Sequence, residues 1–290
     1  MKNLLFITCI IFSLSLSGQN ISNDDVVGVY KERSNEPVGG ATFIFLPDHT
    51  YVIAYFGGFQ KGVWEFNGET VTLVKSTEPQ FALYGRKLKS LKNQTQINFS
   101  VEAGNAVVVG LDSNAKNKLK PVFNNEANCF NYPYIFKQEK KIHQLQAAQV
   151  LMKNANSFSK NNLFAHVFHF IIPTDYNDLI LINLPSDYTE KGTFHAIFNN
   201  GMLFIGSDSK GMEKRPLHTL NEEDLAMTNY FVKKSLVPNE LTMHSEFFPY
   251  FENPSSELLA PYYKIKVFDS SKKDITIESE PFFHASCEDD

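Results

Sequence analysis

The amino-acid sequence predicts a mainly β fold, with two antiparallel β subdomains of the meander barrel or sandwich type. Short apolar runs of strand length recur along the 290-residue chain and are separated by turn residues. The 26 Phe and 12 Tyr supply many large side chains for the cores of such sheets. Helical spacing of apolar residues indicates a helix at 138–160, and a capping-box pattern indicates a second helix at 220–236.

The first 17 residues have the pattern of a secretory signal peptide. Lys2 precedes an apolar run from Leu4 to Phe12, and the small residues Ser15 and Ser17 stand just before the expected cleavage site. The run is shorter than the roughly 20 residues that a membrane-spanning helix needs. We therefore expect an exported, soluble protein, periplasmic or secreted, with no transmembrane segment after cleavage.

Residues 24–137 are predicted to form an N-terminal β domain. Their strand-like runs alternate with turns, among them Asn67-Gly68, a strong hairpin signal because a type I′ turn needs positive φ at both central positions. The predicted strands are 26–31, 41–46, 51–56, 62–66, 70–75, 95–101 and 106–111.

Residues 138–160 are predicted to be a helix that links the two β domains, because residues 137–154 lack Gly and Pro and space their apolar side chains almost helically. A C-terminal β domain at 161–290 follows. Within it, a helix is predicted at 220–236, because Thr219 to Glu222 has capping-box spacing. The predicted strands of this domain are 163–172, 179–184, 193–198, 202–206, 262–268 and 275–278.

Short motifs recur in the same order in the two halves, which suggests an internal duplication. The recurring pairs are 43–48 with 168–175, Lys61-Gly62 with Lys191-Gly192, and Asp112 to Cys129 with Asp269 to Cys287. The helix at 220–236 would account for the longer middle spacing of the second half. The alternative is coincidence among aromatic strands in a Phe-rich chain.

Residues 26–75 also resemble a known module. The sequences Gly28-Val-Tyr30, Asp48-His-Thr50 and Gly62-Val-Trp64 resemble the strands and turn of small lipocalin-like β modules, which are common in exported bacterial proteins. This chain has His49 where such turns usually carry Gly. The resemblance implies a twisted barrel or sandwich with a ligand cavity, and it implies no particular ligand.

Two cysteines, Cys129 and Cys287, remain after the predicted cleavage, because Cys9 lies within the signal. Export would take them to a compartment that permits disulfides. A bond between them would close a very long loop of chain. The sequence does not show that the two residues meet, so their pairing is left open.

His166 and His169 form the close histidine pair of the sequence. On a helix they would share a face and could bind zinc, whereas on the predicted strand they point to opposite faces. A long-range metal site that adds His195, Asp175 or Asp178 is the remaining metal hypothesis. The competing interpretation is that these histidines are structural or face solvent.

An aromatic cluster is the candidate ligand-binding surface. Phe248, Tyr250, Tyr262 and Tyr263 could stack on the flat face of a sugar or on a peptide, and burial in a core is the alternative. The sequence contains no phosphate-binding loop, dinucleotide fingerprint or Gly-x-Ser-x-Gly nucleophile motif, so no cofactor is expected. The net charge of −5 is spread along the chain and gives no reason to expect nucleic acid.

The predicted function is non-catalytic binding at the cell envelope or outside the cell. The ligand would be a small apolar molecule, a glycan or an envelope partner protein. Two alternatives stay open. One is a hydrolase whose site is assembled from distant residues, with His166, His169 or His195 taking part, and the other is a structural assembly factor of the envelope.

Overall fold

The computed structural model describes residues 22–34, 39–102, 106–112, 117–124, 129–150, 163–206 and 210–287, and the predicted signal peptide at 1–17 lies outside them. The mainly β class is confirmed. In chain order the strands begin with β1 (Gly28–Lys31), β2 (Thr42–Phe45), β3 (Thr50–Tyr55), β4 (Gly58–Phe66), β5 (Thr70–Lys75), β6 (Phe81–Arg86), β7 (Thr95–Ser100), β8 (Val107–Leu111) and β9 (Lys118–Pro121).

The later strands are β10 (Ile135–Gln138), β11 (Gln144–Gln149), β12 (Leu163–Ile171), β13 (Asp178–Asn183), β14 (Thr193–Asn199), β15 (Met202–Ile205), β16 (Met212–Arg215), β17 (Glu240–Leu241), β18 (Tyr262–Ile265) and β19 (Val267–Ile277). The α-helices of the described residues are α1 (Asn23–Val26), α2 (Ser186–Thr189) and α3 (Glu222–Lys233), and short 3-10 turns lie at Lys89–Leu91 and Leu217–Thr219.

The chain forms two compact units whose boundaries differ from the predicted ranges 24–137 and 161–290. Unit 1 combines the described residues up to Ser76 with Gly192–Lys233, and unit 2 combines Thr77–Lys191 with the described residues from Lys234 onward. Two β subdomains were predicted and two are found. The boundaries differ because the chain leaves unit 1 after β5 and returns to it at β14.

Unit 1 is a closed antiparallel barrel with the strand order β1-β16-β15-β14-β5-β4-β3-β2. The meander β1 to β5, which carries the lipocalin-like resemblance, supplies five neighbouring strands. A hairpin connects β4 to β5 at the predicted place, but of Asn67 and Gly68 only Gly68 has a positive φ, at 101°, so the turn is not the predicted type I′ turn with both residues at its centre. Strands from much later in the chain complete the ring, because Val74 of β5 pairs with Thr193 and Val29 of β1 pairs with Arg215.

The interior of this barrel is filled by large side chains. Tyr30, Phe45 and Trp64 are each at most 1% exposed. The Phe45 ring lies 5.5 Å from that of Tyr30 and 5.8 Å from that of Trp64, both in edge-to-face geometry. The Tyr30 hydroxyl donates to the Val26 carbonyl at 2.7 Å, and the Trp64 indole N–H donates to the Leu46 carbonyl at 3.2 Å. Each polar end therefore has a partner inside the apolar interior.

Helix α3 covers part of the outer wall of the barrel. The prediction of a helix at 220–236 is confirmed, although the N-terminal cap is Asn221, whose side chain accepts a hydrogen bond from the Asp224 amide at 2.7 Å. Near its other end, Phe231 stacks on Phe59 of β4 at 4.1 Å between ring centroids. The buried outward-facing side chains Val29, Ile44 and Leu46 pack against Leu217, Leu220 and Val232.

Unit 2 contains a second closed barrel, β11-β12-β19-β9-β8, and a six-stranded sheet, β10-β7-β13-β6-β18-β17. The pairs β13–β7 and β19–β9 are parallel, and the other pairs within unit 2 are antiparallel. Leu83 and Leu181 of the sheet share one hydrophobic core with Leu145, Phe168 and Phe170 of the barrel. This shared core holds the sheet against the barrel within unit 2.

The predicted linking helix at 138–160 is wrong over its described part. Residues 144–149 form strand β11, which pairs with β8 and with β12, and residues 151–160 lie outside the described residues. Leu145 and Ala147 face the shared core, whereas Ala148 and Val150 face the interior of the second barrel. Because both faces of the strand are buried, its apolar residues do not alternate with polar ones, and the run imitates helical spacing.

The internal duplication that the sequence suggested has no counterpart in the two units. Residues 43–45 belong to β2 of unit 1, whereas the matching residues 168–171 belong to β12 of unit 2. Gly62 and Gly192, in contrast, both belong to unit 1. The paired motifs therefore do not occupy equivalent positions in two similar domains.

The turn from β2 to β3 holds His49 in a backbone conformation that usually favours glycine. His49 has a φ of 62°, in the left-handed region that costs a residue with a Cβ about 1–2 kcal/mol. Its ring stacks on Trp64 at 4.7 Å, and its carbonyl accepts a hydrogen bond from the Trp64 amide at 2.8 Å. The stack offsets part of the backbone cost.

We expect His49→Gly to change the stability of unit 1 little, because it removes both the stack and the backbone cost. His49→Ala removes only the stack, so it should be less stable than His49→Gly by about 1 kcal/mol. Urea unfolding followed by the fluorescence of Trp64, the sole tryptophan of the chain, measures the difference. Equal stability of the two variants would contradict this account.

The disulfide between Cys129 and Cys287, which the sequence left open, is confirmed. Its Cα atoms lie 5.7 Å apart, and the residues are separated by 158 positions in the chain. Phe283 lies close by and forms an isolated bridge with Phe123, and Asn124 exchanges two hydrogen bonds with the backbone of Ala285. The bond thus fastens the C-terminal segment to the middle of unit 2.

Replacing both cysteines by serine should destabilise unit 2 by about 5 kcal/mol. In the chain-entropy model, removing a bond that closes a loop of this length frees the unfolded chain, and the gained conformational freedom stabilises the unfolded state by that amount. Urea unfolding followed by far-ultraviolet circular dichroism measures the loss. The Trp64 fluorescence transition reports on unit 1 and serves as the internal reference. An unchanged circular dichroism transition would refute the stabilising role.

Candidate functional site

The histidine candidates are distributed over separate positions. His166 and His169 lie on strand β12, as predicted, so their side chains point to opposite faces. A hydrogen bond joins His166 Nε2 to Ser270 Oγ at 2.5 Å, and another joins His169 Nε2 to Gln144 Oε1 at 3.0 Å. Partial burial lowers the pKa of His169, and the nearby Lys273 lowers it further.

His195 lies on β14 of unit 1, where a hydrogen bond of 3.1 Å joins its Nδ1 to Thr72 Oγ1. Asp178 is fully buried in unit 2, where Arg86 is its ionic partner. Within the described residues, no group of three or more His, Cys, Asp or Glu side chains could hold a metal ion. The metal hypothesis therefore has no ligand set in that part of the chain.

The aromatic candidates divide into a buried and an exposed pair. Tyr262 is 1% exposed, and the half-buried Phe248 packs on it with ring centroids 5.8 Å apart. Tyr250 and Tyr263, in contrast, are 77% and 46% exposed. The predicted cluster thus supplies both a piece of core and two surface rings, and Tyr250 is the most accessible of the four.

Below these rings lies a row of buried polar side chains, of which the sequence analysis named only Asp178 and Tyr262, and both for other roles. Arg86 of β6 and Asp178 of β13 stand opposite each other in register, and Gln96 of β7 stands on the far side of Asp178. Arg86 Nε donates to Asp178 Oδ2 at 2.8 Å, and the Tyr262 hydroxyl donates to the same oxygen at 2.7 Å. Gln96 Nε2 donates to the other carboxylate oxygen at 3.3 Å.

Burial dominates the electrostatics of this row. It raises the pKa of Asp178, and the Arg86 guanidinium and the Tyr262 hydroxyl oppose that rise. Burial also raises the pKa of Tyr262, and the neighbouring Asp178 adds to the effect. The guanidinium carbon of Arg86 stands 3.8 Å from the centre of the Tyr262 ring, in cation–π geometry. With both Asp178 oxygens already accepting hydrogen bonds, the row has the chemistry of a structural clamp.

The clamp holds the segment that carries the exposed rings. Arg86 Nη1 donates to the carbonyl of Leu258 at 2.8 Å and also to the carbonyl of Ala260. Just before Leu258, the Glu257 carboxylate accepts a hydrogen bond from the Lys89 amide at 2.5 Å. These bonds fix the chain between β17 and β18, and we call its residues 242–261 the aromatic loop.

The aromatic loop and its flank are acidic. From Asn239 to Leu259 the sequence contains four carboxylates and no lysine or arginine, and the four are Glu240, Glu246, Glu252 and Glu257. Glu246 accepts a hydrogen bond from the Tyr188 hydroxyl at 2.9 Å. Glu252 and Asn253 follow Tyr250 closely and are exposed. Hydrogen-bonding side chains therefore stand beside an exposed ring.

Unit 1 has a shallow groove of about 410 Å³ at the turn between β14 and β15. Its lining residues are Asn200, Gly201, Met202, Glu213, Lys214 and Pro216. The Lys214 ammonium donates to the carbonyls of Asp24 and Asp25 at 3.2 and 2.7 Å, so this charge fastens α1 to the barrel. Lys214, the positively charged lining residue of this groove, thus has a structural role.

No helix in the described part of the chain has the length and apolar character needed to cross a membrane. Comparison with known protein families, with curated proteins and with solved structures finds no match to this chain. Function must therefore be inferred from the side chains of the protein itself.

The clamp can be tested by a double-mutant cycle. Arg86→Leu should cost about 3–5 kcal/mol of unfolding free energy, because it leaves the Asp178 carboxyl buried without its cation, and Asp178→Leu should cost a similar amount. The double variant should lose less than the sum, because neither charge then remains buried alone. Urea unfolding followed by circular dichroism measures all three, and strictly additive costs would argue against the pair.

Proposed function

We propose that the protein is an exported, non-catalytic binding module that recognises a glycan through the aromatic loop of unit 2. The observation that carries the proposal is the 77% exposure of Tyr250 on a segment that is otherwise firmly anchored. Exposed rings on rigid segments are typical of recognition surfaces, because little conformational entropy is lost on binding.

The anchoring of Tyr250 comes from its immediate neighbours. Pro249 is buried, and Phe251 contacts Phe248 with ring centroids 6.2 Å apart. The Phe248 amide also donates to the Ser245 carbonyl at 3.0 Å. The loop backbone is thus held on both sides of Tyr250 while the ring itself projects into solvent.

The surrounding chemistry favours a sugar. A tyrosine ring presents a flat apolar face to the C–H groups of a pyranose. The adjacent Glu252 carboxylate and Asn253 amide offer acceptors and donors for sugar hydroxyls. A small apolar ligand in the barrel of unit 1 is less favoured, because Phe45, Trp64 and their neighbours fill the described interior.

We further propose that the protein is exported and that unit 1 is a lipocalin-like barrel. Export is supported by the signal-like pattern of residues 1–17 and by the disulfide, which suits an oxidising compartment. The lipocalin-like assignment of unit 1 is supported by the eight-stranded barrel into which residues 26–75 contribute their strands. Both remain proposals.

The experiment is a binding screen on a panel of soluble bacterial and plant polysaccharides, followed by calorimetry with the best binder. Tyr250→Ala should weaken that binding at least tenfold, as expected for an aromatic anchor. Tyr250→Phe keeps the ring and should bind within about threefold of the wild type.

Phe164→Ala is the matched control, because Phe164 is 68% exposed on β12, away from the loop in sequence. It should bind like the wild type. The proposal fails if no polysaccharide binds, or if Tyr250→Ala binds as well as the wild type.

A further inference from the structure

The hairpin between β3 and β4 carries exposed aromatic side chains at one end of the unit 1 barrel. Tyr55 pairs with Gly58, so Phe56 and Gly57 form the turn. Phe56 is 78% exposed and Tyr55 is 50% exposed. The left-handed backbone conformation falls on Gly57, at a φ of 83°, so the turn itself does not require an aromatic residue at position 56.

Directly below the turn, aromatic packing stiffens the hairpin. Phe59 stacks on Phe231 of α3 with ring centroids 4.1 Å apart, and Tyr230 lies next to Phe231 with 57% of its surface exposed. Lys61 Nζ donates to the Val232 carbonyl at 3.0 Å and so holds the C-terminal turn of the helix on the same strand. We call Tyr55, Phe56, Phe59, Tyr230 and Phe231 the aromatic tip.

Cationic side chains lie near the aromatic tip on β1 and at the end of α3. Across the neighbouring strands β1 to β4, Lys31, Thr42, Ala54 and Phe59 pair in one line, which places Lys31 in the same row of the sheet as Phe59, next to the turn. Lys31 and Arg33 are exposed, and so is Lys233, two residues after Phe231. Glu32 lies among them, and its carboxylate accepts a hydrogen bond from the Ala41 amide at 3.1 Å. The positive charge at this end contrasts with the net charge of −5 for the whole chain.

We propose that the aromatic tip docks on the surface of an anionic phospholipid bilayer, with Phe56 and Tyr55 inserted among the headgroups. Aromatic rings favour the membrane interface, and neighbouring lysines and arginines are attracted to anionic lipids. A projecting hairpin end suits a soft, flat surface, whereas a rigid protein partner would need a matching pocket. This inference does not depend on the proposed glycan site, which lies in unit 2.

The test is co-sedimentation of the purified protein with vesicles of equal parts phosphatidylglycerol and phosphatidylcholine, and with vesicles of phosphatidylcholine alone. We expect binding to the anionic vesicles that weakens as added salt screens the lysines. Phe56→Ser should lower the partition coefficient at least about tenfold, because a phenyl ring no longer enters the interface. Lys31→Gln combined with Lys233→Gln should lower it about twenty-five-fold, at roughly fivefold for each charge.

Phe164→Ser is the control, since it removes a similarly exposed ring, 68% against 78% for Phe56, from strand β12 of unit 2 and should bind like the wild type. Circular dichroism and Trp64 fluorescence verify that each variant is folded. The proposal is overturned if the wild type does not bind the anionic vesicles, if it binds neutral vesicles equally well, or if Phe56→Ser binds as tightly as the wild type. Retention on a soluble anionic polysaccharide but not on vesicles would also overturn it.

Discussion

The pairing of β5 with β14 and of β1 with β16 is the constraint on which unit 1 depends. A five-stranded meander leaves an unpaired strand at each edge, with amides and carbonyls that need partners. Strands from residues 193–215 satisfy both edges and close the ring. Closure also creates the interior that buries Tyr30, Phe45 and Trp64. The apolar residues of the first strands therefore reach their final environment only when the chain has returned.

This closure makes most of unit 2 an insertion between two strands of one barrel. The segment 77–191 leaves from β5 and re-enters at β14. Because the entropy cost of closing a loop grows only slowly with its length, a barrel tolerates such an insertion when the inserted residues fold by themselves. The segment 77–191 meets that condition only together with the chain after Lys233, because β18, β19 and Cys287 complete the sheet, the barrel and the disulfide of unit 2.

Both proposed binding surfaces share the same structural features. Each presents an exposed ring on a short connection, and each connection is held by contacts in its own unit. Arg86 fixes the aromatic loop by binding two of its carbonyls, and the Phe59–Phe231 stack fixes the β3–β4 hairpin. The two surfaces differ in charge, since Glu246 and Glu252 lie near Tyr250 in the chain, whereas Lys31 lies in the strand row next to the Phe56 turn. That contrast is the reason for assigning them different ligands.

The sequence by itself determined the local elements of this protein. Turn residues and alternation located β1 to β5, because these signals act between neighbours in the chain. The signal at 219–222 placed α3 to within a few residues, although its cap is Asn221 and not Thr219. Only the tertiary structure decided that residues 144–149 form a strand, since both of its faces are buried. It also decided the unit boundaries and the Arg86–Asp178 pair. Those features depend on the register between strands that are distant in the chain, and no local pattern of residues encodes that register.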